Sequence, residues 1–138
     1  MKLTKAQRAA LFERYSGRCA YCGDHLKARW CADHIEPVIR ETRYELGKGF
    51  VQTGRVLHDG RDTLANMVPS CPPCNISKGS HSLEGWRREL LRSTEYLERN
   101  YSTFRTAVRF RRVMVEHVNE PVRFYFEDQK RRHHNKRR

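Results

Sequence analysis

Two pairs of cysteines constrain the fold of this chain more than any other feature of its sequence. Cys19 and Cys22 form one Cys-X-X-Cys pair, Cys71 and Cys74 form the second, and residues 23–70 separate them. Two intervening residues allow a tight turn to aim both thiolates of a pair at one tetrahedral ion, and two such pairs are typical of a structural zinc site. The spacing therefore predicts one four-thiolate Zn²⁺ site that joins two distant parts of the chain.

Disulfides or a redox-active pair are the alternative interpretations of these cysteines. No secretory signal precedes them, which disfavours disulfides, and the thioredoxin-like βαβ context of a redox pair is absent. The chain has 138 residues, of which only 38% are hydrophobic, so its core is thin and a metal would stabilise it. Cys31, the fifth cysteine, is interpreted as a small buried thiol.

The charge balance of the chain indicates a polyanionic partner. The formal net charge is +12 and the sequence pI is near 10.0. Such a balance in a chain that is long enough for one domain favours nucleic acid. No apolar run approaches the roughly 20 residues of a membrane span, so we expect no membrane partner and a cytoplasmic location.

Hydrophobic periodicity and turn residues predict short helices and strands. Helices are expected over 4–16, 71–78, 82–99 and from 102 to near 118, with Thr4, Ser70, Ser82 and Ser102 as N-caps. Strands are expected over 29–35, 64–68 and 122–126. Residues 40–62 contain four glycines and are predicted as a long loop with room for a small hairpin. No internal repeat is present.

A further set of polar residues falls in a fixed order around the cysteine pairs. Asp33 and His34 follow the first pair, Asn66 precedes the second, and Asn75 follows Cys74 directly. The segments that carry this order are Ala-Asp-His-Ile-Glu-Pro at 32–37, Gly-Arg-Asp-Thr-Leu-Ala-Asn-Met-Val-Pro at 60–69 and Cys-Pro-Pro-Cys-Asn-Ile-Ser-Lys-Gly at 71–79. Over about residues 5–80 the sequence resembles the HNH endonuclease family in its zinc-containing form, and is similar to free-standing phage and bacterial members.

The resemblance implies a fold and a role for each matching residue. The fold is a small α+β protein with a ββα-metal (His-Me finger) core, a four-cysteine zinc site and additional C-terminal helices. His34 matches the general base, and Asp33 and Asn75 match the ligands of a catalytic Mg²⁺ or Mn²⁺. Asn66 matches the residue that orients the base and constrains the loop. Neighbouring residues on a strand face opposite sides, so the resemblance also implies that the strand ends near Asp33 and His34.

The chemistry of phosphodiester hydrolysis agrees with these residue types. A neutral imidazole can accept a proton from water near neutral pH, and a hard divalent ion prefers carboxylate and amide oxygens. Glu36 and His58 are reserve candidates for the catalytic ion, whereas His81 is interpreted as a loop histidine and His25 is not needed beside four cysteines on zinc.

The chain divides into three predicted segments. Residues 1–81 form the nuclease core with the zinc site, 82–128 a basic helical extension, and 129–138 a disordered basic tail. Lys78, Arg87 and Arg88 are predicted to contact DNA, with solvated surface side chains as the alternative. The loop over residues 38–60 is expected either to follow the DNA backbone or to act as a simple connector.

The sequence thus predicts a metal-dependent HNH endonuclease that hydrolyses DNA phosphodiester bonds, located in the cytoplasm of a bacterial host. Two rivals remain open at this stage. One is a non-catalytic zinc-binding protein that binds nucleic acid, and the other is a nuclease directed at RNA.

Overall fold

The computed structural model describes residues 2–118 and 120–129, which form a mixed α+β arrangement with two small sheets. The helices are α1 (Lys5–Arg14), α2 (Pro72–Lys78), α3 (Leu83–Leu91), α4 (Ser93–Asn100) and α5 (Ser102–Arg109). The strands are β1 (Cys31–His34), β2 (Ile39–Glu45), β3 (Gly49–Leu57) and β4 (Met67–Ser70). The predicted α+β class is confirmed. Apart from Gln129, the predicted basic tail lies outside the described residues.

The first helix begins and ends where the sequence predicted. The Thr4 hydroxyl accepts a hydrogen bond from the Gln7 backbone N–H, and the Gln7 side chain accepts one from the Thr4 N–H, which completes the expected capping box. Beyond Arg14, the Gly17 N–H donates to the Phe12 carbonyl at 2.9 Å, and Gly17 adopts a φ of 66°. A left-handed residue of this kind stops a helix, as expected for glycine there.

One sheet joins two segments that are separated in the sequence by residues 35–66. Strands β1 and β4 pair antiparallel with Cys31 opposite Ser70 and His34 opposite Met67. The predicted strand over 64–68 is shifted, because Leu64–Asn66 form a 3₁₀ turn and pairing starts only at Met67. Ser70 is therefore a buried strand residue and not the predicted cap. Cys71 takes the N-cap position of α2, and proline occupies the first turn.

The second sheet replaces the loop predicted over residues 40–62. Strands β2 and β3 form a hairpin that runs from the pair Ile39–Leu57 to the pair Glu45–Gly49, with an irregularity between Arg40 and Thr42. The prediction left room for a small hairpin in this loop, and Gly47, Gly49 and Gly54 all have positive φ angles in the hairpin that forms. They supply turn and bulge conformations within a hairpin.

The C-terminal half departs from the prediction in three places. The expected helix over 82–99 is divided at Arg92 into α3 and α4, although the Ser82 hydroxyl does cap α3 by accepting from the Gly85 N–H. Helix α5 starts at Ser102 with Tyr101 as its N-cap, so Ser102 is not the predicted cap. It ends at Arg109, short of 118, and Arg111 just beyond it is left-handed.

The predicted strand over 122–126 is also wrong, because residues 125–129 are helical. The first N–H groups of a helix lack partners inside the helix. Here the N–H groups of Tyr125 and Phe126 donate to the carbonyls of Tyr21 and Ala20, and the Phe124 N–H donates to the Glu127 carboxylate. The alternating aromatic residues therefore mark a docked helix start and not a strand.

The core is a small aromatic cluster on the turn between the first two cysteines. The buried Tyr21 ring meets Trp86 of α3 edge-on at 5.1 Å, and Trp86 stacks on Phe124 at 5.0 Å between ring centroids. Leu11 of α1 and Val68 of β4 belong to the same buried cluster. Both the predicted core segment, 1–81, and the predicted extension, 82–128, thus contribute to one interior.

No helix within residues 2–118 and 120–129 combines the length and the apolar character that crossing a bilayer requires.

Candidate functional site

The two cysteine pairs meet in one cluster, as the sequence predicted. The four sulfur atoms of Cys19, Cys22, Cys71 and Cys74 all lie within 4.8 Å of one another. A tetrahedral ion with sulfur ligands at about 2.3 Å places those sulfurs about 3.8 Å apart. The Cys22 and Cys71 sulfurs are 3.9 Å apart, and every cysteine is a free thiol. The cluster is therefore suited to a structural metal such as zinc.

Hydrogen bonds favour a thiolate at the most buried member of this cluster. A hydrogen bond from the Cys74 thiol, helped by backbone N–H groups that include that of Cys71, lowers the pKa of Cys19 to about 4, although burial opposes the shift. Burial raises the pKa of Cys22 to about 12, and the bond to Cys19 raises the pKa of Cys74. A divalent metal would displace the protons of the other thiols.

A buried lysine connects the turn of the first cysteine pair, helix α2 and strand β1. Lys78 is 1% exposed, and its Nζ donates to the His34 carbonyl at 2.7 Å and forms an ion pair with Asp33 Oδ2 at 3.2 Å. Tyr21 donates its hydroxyl to the same Asp33 oxygen at 2.6 Å. Burial, followed by the neighbouring Asp33 charge, raises the pKa of Tyr21. A surface lysine, solvated or bound to DNA, was expected here, and the structure corrects that expectation because the ammonium is sealed inside the protein.

These contacts leave one carboxylate oxygen available. Among the described residues, Asp33 Oδ1 has no hydrogen-bond partner, and neither does the side-chain amide of Asn75. Asn75 lies three residues before Lys78 on α2, so both side chains lie on the same helix face. Asn75 therefore lies on the face of α2 that carries Lys78, the residue that contacts Asp33.

The imidazole of His34 is held by a residue that the sequence analysis missed. His34 Nε2 lies 2.8 Å from Asp62 Oδ1. A carboxylate only accepts hydrogen bonds, so the imidazole donates from Nε2 in this contact. Asp62 lies inside the segment 60–69 that carried the family resemblance, four residues before Asn66. A carboxylate at that position was the signal that could have revealed it.

Asn66 fixes the loops at the open end of the sheet. Its Oδ1 accepts from the Glu36 N–H at 3.0 Å, and its Nδ2 donates to the carbonyls of Glu36 and Arg61, both at 2.8 Å. This arrangement matches the predicted loop constraint. The bonds of Asn66 within the described residues do not reach His34, so the contact with the imidazole comes from Asp62 instead.

Asp33 and His34 lie on opposite faces of β1. The strand ends at His34, as expected, but both residues keep regular pairing with β4. His34 lines a cavity of about 410 Å³ on the α1 side, together with the cations Lys2, Arg8 and Arg40. Within the described residues β4 is the strand that pairs with β1, and no strand pairs with the other edge of β1.

The two predicted DNA-contacting arginines of α3 differ in their surroundings. The Arg87 side chain is 16% exposed, its Nη2 donates to Glu127 at 2.7 Å, and its guanidinium lies 4.7 Å from the Phe124 ring centroid. Arg87 also donates to the Val122 carbonyl. It therefore fastens the C-terminal segment to α3, which corrects its assignment to DNA. Arg88 is exposed and remains available for a phosphate.

The reserve candidates do not join a metal-binding group. Within the described part of the chain, the four cysteines are the only cluster of at least three cysteine, histidine or acidic side chains that could hold an ion. His25, Glu36, His58 and His81 are outside it.

Comparison with known proteins gives no match for this chain among family models, curated sequences or solved structures.

Proposed function

We propose that this chain is a metal-dependent endonuclease that hydrolyses phosphodiester bonds in DNA, with β1, β4 and α2 as a ββα-metal core. The junction at the end of β1 carries the proposal. There the buried Lys78 ammonium binds both the Asp33 carboxylate and the His34 carbonyl, while Asp62 holds the His34 imidazole. A candidate general base and a candidate metal ligand thereby occupy neighbouring positions at the end of β1, on its two faces, and each has a contact that holds it.

The residues on the α2 side fit a hard divalent ion. Asp33 Oδ1 and the Asn75 carbonyl are oxygen donors without partners among the described residues, and Mg²⁺ or Mn²⁺ prefers such ligands. When bound, such an ion would stabilise negative charge on the phosphate and on the leaving 3′-oxygen. Lys78 offsets part of the Asp33 charge, so we expect weak ion binding that is completed by oxygens of the DNA phosphate.

His34 would activate the attacking water. With the proton on Nε2 directed to Asp62, the Nδ1 lone pair accepts a proton from water. The water oxygen then forms a bond to phosphorus in line with the breaking bond to the 3′-oxygen. The 3′-oxygen takes a proton from solvent, which leaves a 5′-phosphate and a 3′-hydroxyl.

The cations around the His34 cavity would hold the substrate. Lys2, Arg8 and Arg40 line that cavity, and the whole chain carries a net charge of +12. Phosphate contacts of this kind give affinity that falls steeply with salt and is independent of base sequence. Arg88, exposed on α3, is a further candidate for such a contact.

Cleavage of supercoiled plasmid by zinc-loaded protein with added Mg²⁺ or Mn²⁺ tests the proposal. We expect nicked or linear product, and we expect His34→Ala to lower the rate by about 10²- to 10⁴-fold, the usual contribution of a general base. His81→Ala is the matched control, because His81 is exposed and lies outside the site. Equal cleavage by parent and His34→Ala protein would contradict the proposed site.

The same experiment separates the proposal from its rivals. A parallel reaction with a structured RNA identifies a nuclease that prefers RNA. Binding to DNA without cleavage of either substrate, across both ions, would leave the non-catalytic zinc-binding protein as the better description.

A further inference from the structure

The β2–β3 hairpin ends in an exposed apolar tip for which the fold has no evident use. Leu46, at the turn, is 93% exposed, Phe50 is 78% exposed and Tyr44 is 65% exposed. The rings of Tyr44 and Phe50 meet edge-on across the two strands, with 5.6 Å between their centroids. Large apolar side chains gathered at a protruding end are unusual on a soluble surface and indicate a contact with another molecule.

A hydrogen-bonded turn defines the conformation of the tip. Lys48 N–H donates to the Glu45 carbonyl at 3.0 Å, which closes a turn, and Gly47 and Gly49 take positive φ angles on either side of Lys48. The pair Glu45–Gly49 then continues into the strand ladder. Leu46 is therefore held at the very end of a short hairpin loop.

The charges of the hairpin suit a polyanion. The hairpin over residues 39–57 carries four cations and two carboxylates, namely Arg40, Arg43, Lys48 and Arg55 with Glu41 and Glu45. Glu45 accepts from Arg43 at 2.6 Å and from Lys48 at 3.1 Å, and Glu41 lies 3.8 Å from Arg55. Both carboxylates are thus compensated inside the hairpin, and the net charge is positive.

The position of the hairpin connects it to the candidate active site. The hairpin lies in the sequence between His34 and Asp62. Because these two residues contact one another, both ends of the hairpin are near that pair. At its base Arg40 lines the same cavity as His34. Seven residues of β2 span about 20 Å, which corresponds to about six base pairs along a duplex.

We infer that the hairpin tip is a wedge that inserts Leu46, supported by Phe50, between base pairs of duplex DNA about six base pairs from the cleaved bond. This inference rests on the proposed function, since it takes duplex DNA as the substrate. Proteins that bend DNA use single apolar side chains in this way and pay for unstacking with additional contacts. The charge of the hairpin favours DNA as the partner, because both of its carboxylates are paired inside it and its net charge is positive.

Fluorescence of 2-aminopurine, placed at successive steps of a duplex, detects the wedge directly. The protein carries His34→Ala so that the duplex stays intact, and Ca²⁺ replaces the catalytic ion. We expect bound protein to raise the fluorescence at one or two neighbouring steps only. Adding Leu46→Ser or Phe50→Ser should remove most of that increase, whereas Met114→Ser, at a residue that is 91% exposed and outside the hairpin, should leave it unchanged.

A second measurement distinguishes a wedge from a general loss of binding. In protein with an intact His34, Leu46→Ser should lower cleavage of a fully paired duplex about tenfold. A duplex with one mismatch at the fluorescent step is already unstacked there, and it should restore the rate to within about twofold of the parent. Zinc content and the thermal midpoint should equal those of the parent, because Leu46 is exposed.

Several results would overturn the inference. One is the absence of any fluorescence increase with His34→Ala protein that has an intact hairpin. Another is an equal increase in both hairpin variants. A third is the dissociation of an oligomer in those variants, with the fluorescence of the DNA unchanged. The last would identify the tip as a contact between copies of this chain. The fluorescence measurement needs no cleavage, so a positive signal from a protein that cuts nothing would remove the proposed function and keep the wedge.

Discussion

Both small sheets of this protein consist of two antiparallel strands, but the β1–β4 sheet is packed inside the protein and the β2–β3 sheet is largely exposed to solvent. Every residue of β4 is buried, and its sheet is held by the cysteine cluster, the aromatic core and the Lys78 ammonium. The β2–β3 hairpin is exposed along most of its length, and its ion pairs run between its own side chains. A two-stranded hairpin alone is marginally stable in water. The difference shows that this chain fixes the geometry of the β1–β4 sheet through a cysteine cluster that could hold a metal and through buried polar contacts, whereas the hairpin over residues 39–57 has neither.

The largest expected effect comes from breaking the cysteine cluster. Cys71→Ser, or removal of the metal by a chelator, should unfold the β1–β4–α2 unit, because structural zinc contributes about 10–16 kcal/mol to folding of small domains. Purified parent protein should carry about one zinc per chain. Metal analysis measures the zinc content, and circular dichroism during heating measures the loss of structure. Cys31→Ser is the control, since Cys31 lies outside the cluster. A zinc-free parent with an unchanged melting curve would contradict the assignment.

Two lysines test the contrast between the sheets most directly. Lys78→Met leaves the Asp33 carboxylate without its buried partner, which should lower the free energy of unfolding by about 3–5 kcal/mol. Lys48→Met removes an exposed pair with Glu45 on the hairpin and should cost less than about 1 kcal/mol. Urea unfolding of both variants gives the comparison. Equal losses would mean that the two regions are held in the same way.

Asp62→Asn should lower activity without unfolding the protein. The amide can present either a donor or an acceptor to His34 Nε2, so the imidazole loses its fixed tautomer. We expect the cleavage rate at saturating DNA to fall about 10- to 100-fold, with DNA affinity and thermal midpoint unchanged. Asp62→Glu should recover part of the rate, and Asp59→Asn should behave as the parent. A weaker affinity with an unchanged rate would assign Asp62 to DNA binding.

The smallest expected effect comes from the ion pair between Arg87 and Glu127, which joins the C-terminal segment to α3. Burial raises the pKa of Glu127, but the hydrogen bonds from Arg87 and the Phe124 N–H outweigh it and leave the pKa below its usual value. The stabilisation is therefore complete above the unfolded pKa of about 4.3 and is lost as the pH falls through the folded pKa. Glu127→Gln should cost under about 1 kcal/mol at pH 7 and flatten the loss of stability in acid.

Thermal unfolding at several pH values measures this dependence. Glu84→Gln is the control, because the Glu84 side chain is 70% exposed although it also contacts Arg87. An unchanged acid slope in Glu127→Gln would show that other carboxylates control stability there.

The sequence predicted what local chemistry determines. The cysteine spacing predicted the cluster, and the Thr4 capping box and Ser82 cap predicted the starts of two helices. The helix caps depend on residues that are close in the chain, and the cysteine cluster follows from the spacing within each pair. The candidate site was predicted as Asp33, His34, Asn66 and Asn75, and the structure brings Asp33 together with the α2 face that carries Asn75.

Contacts between distant segments were not predictable in this way. Asp62 reaches His34 because a hairpin folds out between them, and the sequence left that hairpin only as one option within a long predicted loop. Lys78 looked like a surface residue of a short helix, and only the position of Asp33 on the neighbouring strand shows why it is buried. Arg87 lies in a basic stretch of the sequence and was therefore predicted to contact DNA. Its ion pair with Glu127 of the C-terminal segment depends on how distant segments pack, which the sequence alone does not reveal.

Binding of a divalent ion at the end of β1 is the most direct test of the central claim that Asp33, Asn75 and His34 form one site. Paramagnetic Mn²⁺ can be titrated into zinc-loaded, isotope-labelled protein while nuclear magnetic resonance records side-chain signals. The proposed site predicts that the Asn75 amide and His34 imidazole signals broaden first, and that Asp33→Asn abolishes the effect. Broadening confined to exposed glutamates such as Glu95 and Glu98, with His34 and Asn75 unaffected, would contradict it.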